Sequence, residues 1–287
     1  MLPSEHTRLI NRFIGLCKNT IGWPNTLGEL GYDVQLIEQE ISLEDASRIH
    51  PDVIAVSNTN LHALVTDCKS GKNLEKDQLD RYKKLIPKDL HKWLTTYDNN
   101  RLTHTVCIAN CENNCQIQRK FTNFPFLTFY SDKIIGDGDL GYKDLNAKFS
   151  SPVSLIGMHE PLSYYPFSHE DHKNVIAPHV LRGLISFLVK KGHKDRPKAL
   201  SESTAEAILE IVHPFTSYIS TRHKDSIRKV ILEIIKLAIN SNNDFKEQVS
   251  KLENGDFNYA TLKSLSSTCE KMAQEFETQR RITDEYS

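Results

Sequence analysis

Two short apolar runs, Val53-Ile54-Ala55-Val56 and Leu61 to Thr66, stand on either side of Ser57-Asn58-Thr59-Asn60, and this arrangement restricts the chain more than any other feature. Polar residues with turn chemistry between two such segments predict a pair of adjacent strands. Val34 to Ile41 tends to alternate and predicts a strand before the pair, with Glu38 and Glu40 on one side. Leu102 to Ala109 and Phe124 to Tyr130, rich in β-branched or aromatic residues, predict strands after it.

Helices frame these strands. Ser4 can cap a helix whose apolar residues Leu9, Ile10, Phe13, Leu16 and Cys17 recur at helical spacing and stop before Gly22-Trp23-Pro24. Glu75 to Leu85 carries Leu79, Tyr82 and Leu85 at spacings of three among dense charge, with Pro87 beyond it as a stop. Short helical pieces are expected over Ser42 to His50 and Gln116 to Phe121, and long loops or small strands over Gly136 to His172. Val180 to Lys191, Ser203 to Val212, Lys224 to Asn240 and Tyr259 to Thr278 all predict helices. The expected fold class is therefore α/β: a mixed sheet flanked by helices over residues 1–150, then a linker and mostly helical C-terminal domain over 151–287.

With 287 residues, 39% of them apolar and 25% charged, the chain can build one large or two ordinary domains without disulfides or metals as staples. A formal net charge of -1 excludes a globally basic nucleic-acid binder but leaves room for a local basic surface. The first residues lack a basic start followed by an apolar run, and no segment reaches the roughly 18 apolar residues of a membrane span, so a cytoplasmic protein without membrane contact is expected. Six cysteines fit reduced, mostly buried thiols better than a disulfide scaffold.

The chemistry gathers at the ends of the paired strands. Pro51-Asp52 opens one and Asp67-Cys68-Lys69 closes the other, which brings two carboxylates and an amine to neighbouring strand ends. Asp67 and Lys69, two apart, project from the same face, and the Cys68 carbonyl is placed to act as an oxygen ligand. Paired carboxylates of this kind hold Mg²⁺ or Mn²⁺ for phosphodiester hydrolysis. Asp52 and Asp67 are the candidate metal ligands, and Lys69 is the candidate for orienting the attacking water or neutralising the charge that develops on the phosphate.

At these residues the chain resembles the PD-(D/E)XK nuclease superfamily, with Pro51-Asp52 as the first half of its motif and Asp67-Cys68-Lys69 as the second. Leu30 to Val34 looks like the turn into the first core strand of such nucleases. Gln78-Leu79-Asp80-Arg81-Tyr82 looks like the Gln-x-x-x-Tyr motif of the RecB-like branch, on a helix beside the active site. The resemblance covers roughly residues 1–130 and implies a restriction-endonuclease-like sheet, Mg²⁺ or Mn²⁺ as cofactor, DNA as substrate, and supporting roles for Gln78 and Tyr82. Many members carry one more acidic residue; Glu5, Glu29, Glu38 and Glu40 are the possibilities, with Glu40 and Glu29 ranked first. The resemblance further implies a deoxyribonuclease, in all expectation an endonuclease, serving prokaryotic restriction, repair or anti-phage defence. No Walker-type phosphate loop is present, so a helicase, ATPase or recognition subunit would be a separate chain.

Lys190, Lys191, Lys194 and Arg196 form a basic stretch that suits phosphate contact, and Arg182 and the Arg222 to Lys229 segment extend it. Cys107, Cys111 and Cys115, with Cys17, are better read as core cysteines than as ligands of an iron–sulfur cluster, and His159-Glu160 and His169 to His172 as solvated loop. A different class of function, a nucleic-acid- or partner-binding assembly protein that keeps the fold without turnover, is the alternative to the nuclease.

Overall fold

The computed structural model describes residues 2–71, 75–97, 101–112, 123–192, 197 and 199–285, with side chains described through residue 279. The chain divides into two compact units: Arg8–Tyr164 with Ser217–Ser220, and Met1–Thr7 with Tyr165–Thr216 and Thr221–Ser287. The first is a mixed α/β unit and the second is helical.

The α/β unit is built on a seven-stranded sheet in the order β1 (Tyr32–Ile37), β4 (Val53–Ser57), β5 (His62–Lys69), β6 (Thr103–Cys111), β7 (Phe126–Phe129), β8 (Lys133–Asp137) and β9 (Val153–Ser154). β4 and β5 are the antiparallel pair joined through Asn58 to Leu61, as their sequence requires. The parallel pairs β5·β6 and β6·β7 follow, so three strands end at one edge. Gly31 lets the chain turn into β1: it sits at φ 78°, where an L side chain is strained, and a Cβ there would press on the Thr59 hydroxyl at 3.0 Å.

Both sheet faces are covered. On one, α2 (Lys76–Tyr82) sets Leu79 against Ile108 and Phe126, while Tyr82 joins Ile54, Val56, Ala63, Val65 and Val106 in the adjoining core. The opposite face carries α1 (Glu5–Cys17), whose Arg12 reaches Cys111 at the end of β6. Buried Leu9, Ile10, Phe13 and Ile14 give α1 its apolar stripe.

Several expectations need correction. The strand expected over Val34 to Ile41 stops at Ile37, because Glu38 takes a left-handed backbone at φ 53° and breaks the alternation. The helical piece expected over Ser42 to His50 is a small hairpin of β2 (Ile41–Ser42) and β3 (Arg48–Ile49). Pro87 does not merely stop a helix; it begins α3 (Pro87–Leu90), where the missing N–H of a first-turn proline costs nothing. The sheet unit also runs past residue 150, since β9 pairs with β8 after the intervening α4 (Lys143–Phe149). The helix expected over Gln116 to Phe121 lies outside the described residues.

The helical unit packs α6 (Glu202–Val212), α7 (Thr221–Ser241) and α9 (Tyr259–Glu285) against α5 (Lys173–Lys191), which is buried along most of its circumference. A helix missing from the sequence expectations, α8 (Asn243–Glu253), begins where the Asn242 side chain accepts the Phe245 N–H. No helix among the described residues is long and apolar enough to cross a membrane.

Candidate active site at the ends of β4 and β5

β5 runs past the end of β4. The Asp52 N–H donates to the Thr66 carbonyl at 2.9 Å, closing the ladder, and the Asp52 carboxylate then accepts the Cys68 N–H at 2.5 Å. An aspartate at this position therefore continues the sheet with its side chain. Because N–H and C=O of one strand residue point to the same side, the Cys68 carbonyl is directed to the side where Asp52 stands. Asp52 and Asp67 are 6% and 2% exposed, so both carboxylates are held in the protein rather than in water.

Asp67 and Lys69 do share a face: the Lys69 ammonium lies 3.1 Å from Asp67 Oδ2. α2 brings Gln78 over the pair. Its Oε1 accepts from Lys69 Nζ at 2.8 Å, and its Nε2 reaches Asp67 Oδ1 at 3.5 Å, a long contact at the limit of a hydrogen bond. One turn along α2, Tyr82 is 1% exposed and its hydroxyl has no hydrogen-bond partner among the described residues. Burial pushes the Tyr82 phenol well up, and the nearby carboxylates of Asp67 and Asp52 push it further. The buried Cys68 thiol is raised for the same reasons, burial first and then Asp52, Asp67 and Glu38.

Of the four candidate glutamates, Glu38 is the one the structure sets beside Asp52. A carboxylate oxygen of Glu38 and one of Asp52 lie within 4.8 Å of each other. The Glu38 N–H donates to the Asp52 carbonyl at 2.8 Å, which ties the left-handed residue to the strand end it faces. The two residues ranked first in the sequence are elsewhere. Glu40 pairs with Arg48 at 2.8 Å and His50 at 3.6 Å beside the β2·β3 hairpin, and Glu29 is held by Lys148. A period-two reading puts Glu38 and Glu40 on one side; only the positive φ separates them.

The neighbouring carboxylates of Glu38 and Asp52 are hard oxygen donors, the kind that Mg²⁺ and Mn²⁺ take. The residues thus fit a hard divalent cation.

The other sequence candidates have surroundings of their own. Of the basic stretch, Lys190 and Lys191 are exposed at the end of α5, while Lys194 and Arg196 lie outside the described residues. Arg182 is engaged by Glu270 and Glu277 of α9, and Arg228 by Glu206 and Asp225, so these two arginines serve helix packing. Cys17 and Cys107 are buried thiols raised by desolvation, and Cys115 lies outside the described residues. Of the loop residues expected to be solvated, His159, Glu170 and His172 are exposed, but Glu160 pairs with Arg8 and Arg12, and buried Asp171 accepts from Ser4 N, Thr7 Oγ1 and Ser168 N.

The MJECL32 domain family matches residues 5–160, more than half of the chain. The chain belongs to that family. Over 93 residues it is 34% identical to the "Uncharacterized protein MJECL32" of Methanocaldococcus jannaschii, a stretch covering 29% of this chain and 21% of that protein. No solved structure matches the chain. Glu38, Asp52, Asp67, Lys69, Gln78 and Tyr82 all fall inside the MJECL32 domain, on the strand ends and helix just described.

Proposed function

We propose that the protein is a divalent-metal-dependent deoxyribonuclease of the PD-(D/E)XK type, acting as an endonuclease in the cytoplasm. One observation carries the reading: Asp52, Asp67 and Lys69, separated in sequence, meet at one strand end with Glu38 beside Asp52 and Gln78 across Lys69. With the small β2·β3 hairpin and the one-turn α3 set aside, the order α1, β1, β4, β5, α2 and β6 is similar to the order that the resemblance to these nucleases implies.

Each residue has a task. Glu38, Asp52 and Asp67, with the Cys68 carbonyl, would hold Mg²⁺ or Mn²⁺. A bound ion of this class polarises a phosphate and lowers the pKa of a water molecule at the reacting centre. Lys69 supplies a positive charge next to Asp67, where negative charge on the phosphate would grow during attack. Gln78 accepts from Lys69 and so limits the directions its ammonium can take. Tyr82 fills the space beneath with a buried ring and keeps bulk water from the carboxylates. Restriction or anti-phage defence is the setting that the resemblance implies, with any motor or recognition subunit a separate chain.

The test compares wild type and Lys69→Ala on supercoiled plasmid and on single-stranded DNA, with and without Mg²⁺. Wild type should convert the plasmid to nicked and linear forms only when Mg²⁺ is present, and the variant should not. Equal cutting by both would sink the mechanism; retention of DNA by wild type without any cutting would favour a binding protein instead.

A further inference from the structure

Lys69 has a second polar neighbour that no motif names. Along β5, β6 and β7, Lys69 is paired in register with Asn110, and Asn110 with Thr128. Paired residues project from the same face, so these three side chains form one row at the carboxyl edge of three parallel strands, on the side covered by α2. Ligands of α/β sheets are commonly met at that edge.

The row one step inside contains Asp67, Ile108 and Phe126, and the latter two pack with Leu79 into an apolar cluster. The face thus changes from apolar to polar beside the proposed metal site. Asn110 and Thr128 are 0% and 1% exposed, and the Thr128 hydroxyl donates to Asn110 Oδ1 at 2.8 Å. A buried amide and hydroxyl stabilise a core less than apolar side chains of like volume, so their presence here needs a reason other than packing.

The hydrogen bond supplies it. With its carbonyl oxygen held by Thr128 on β7, the buried Asn110 side chain is fixed in the row beside Lys69, its register partner on β5. Gln78 presents an oxygen to the Lys69 ammonium, and Asn110 is the cross-strand neighbour of Lys69 in the same row. We propose that Asn110, fixed by Thr128, is a positioning residue for Lys69 that keeps the ammonium on the Asp67 and Gln78 side of the row. This inference rests on the nuclease reading.

The experiment uses the full chain and supercoiled plasmid at saturating Mg²⁺, measuring kcat and KM together with thermal melting. Thr128→Val keeps the shape and removes the donor; it should leave melting unchanged or higher and lower kcat several-fold. Asn110→Leu should lower kcat by about tenfold to a hundredfold with KM little changed, the scale expected when a reacting group is displaced by about an ångström. Thr128→Ser, which keeps the hydroxyl, should restore most of the rate. A wild-type kcat in Thr128→Val, or a loss confined to KM, would overturn the proposal even if Asn110→Leu failed to fold. Absence of cutting by wild type is a distinct result, which removes the nuclease reading and this inference with it.

Discussion

The carboxylate of Asp52 accepts the backbone N–H of Cys68, doing with a side chain what one more residue of β4 would do with its backbone. A single residue thus has a structural and a proposed catalytic duty, and substitutions can separate them. Asparagine keeps an acceptor oxygen for the Cys68 N–H but loses the negative charge; alanine loses both. Asp52→Asn should abolish cleavage while preserving stability, and Asp52→Ala should also cost about 1–3 kcal/mol because a buried donor loses this acceptor. Plasmid cleavage and urea unfolding of the two variants provide the check, and equal unfolding midpoints would rule out the structural duty.

Gln78 offers a test of the helix contribution. Its oxygen meets the Lys69 ammonium and its nitrogen reaches Asp67, so methionine, similar in length and without either group, should leave packing intact. Gln78→Met should lower kcat by about tenfold, the low end of what misplacing a catalytic group costs, with little change in melting temperature. A variant as fast as wild type would remove Gln78 from the site.

Glu38 and Glu40 can be told apart directly. Glu38→Gln retains the side-chain length and the left-handed backbone while removing a ligand charge, and should raise the Mg²⁺ or Mn²⁺ concentration needed for half-maximal cleavage about tenfold or more. Glu40→Gln, which weakens the ion pairs with Arg48 and His50, should leave the metal requirement unchanged. If Glu40→Gln shifted the metal titration and Glu38→Gln did not, the assignment made from the geometry would be reversed.

These residues mark what could be read in advance. Asp52, Asp67 and Lys69 were legible because strand ends place such residues together by local geometry, while Gln78 and Tyr82 were singled out only by the resemblance of their spacing to a nuclease motif. Glu38 was not, since alternation cannot register one residue at positive φ that reverses the outcome for its neighbours. Nor could local pattern show that Arg182 is consumed by Glu270 and Glu277, which are distant in sequence and met only through packing of α5 on α9. α8 was missed because only Asn242 separates it from the preceding helix, leaving no loop to signal a new start. The mixed sheet and the helical unit were legible since their apolar periods are long and differ in kind.

The helical unit carries a pH dependence of its own. His213, 1% exposed, lies against the rings of Tyr165 and Phe167, and neither of its ring nitrogens has a hydrogen-bond partner among the described residues. Burial lowers its pKa from 6.5 to about 3, with His179 and His223 adding to the shift. The unfolded chain therefore binds a proton that the folded one refuses, and the sign follows: this contribution is fully present above pH 6.5 and is lost as pH falls toward 3. His62, in the sheet unit between the Tyr32 and Thr105 hydroxyls, is lowered by burial to about 4 and acts in the same sense. His213→Phe cannot take up the proton and keeps an aromatic ring beside Phe167, so the slope of unfolding free energy against pH should flatten between 6.5 and 3. Urea titrations at a series of pH values measure that slope. An undiminished slope in the variant would show that acid sensitivity in this range arises from other groups.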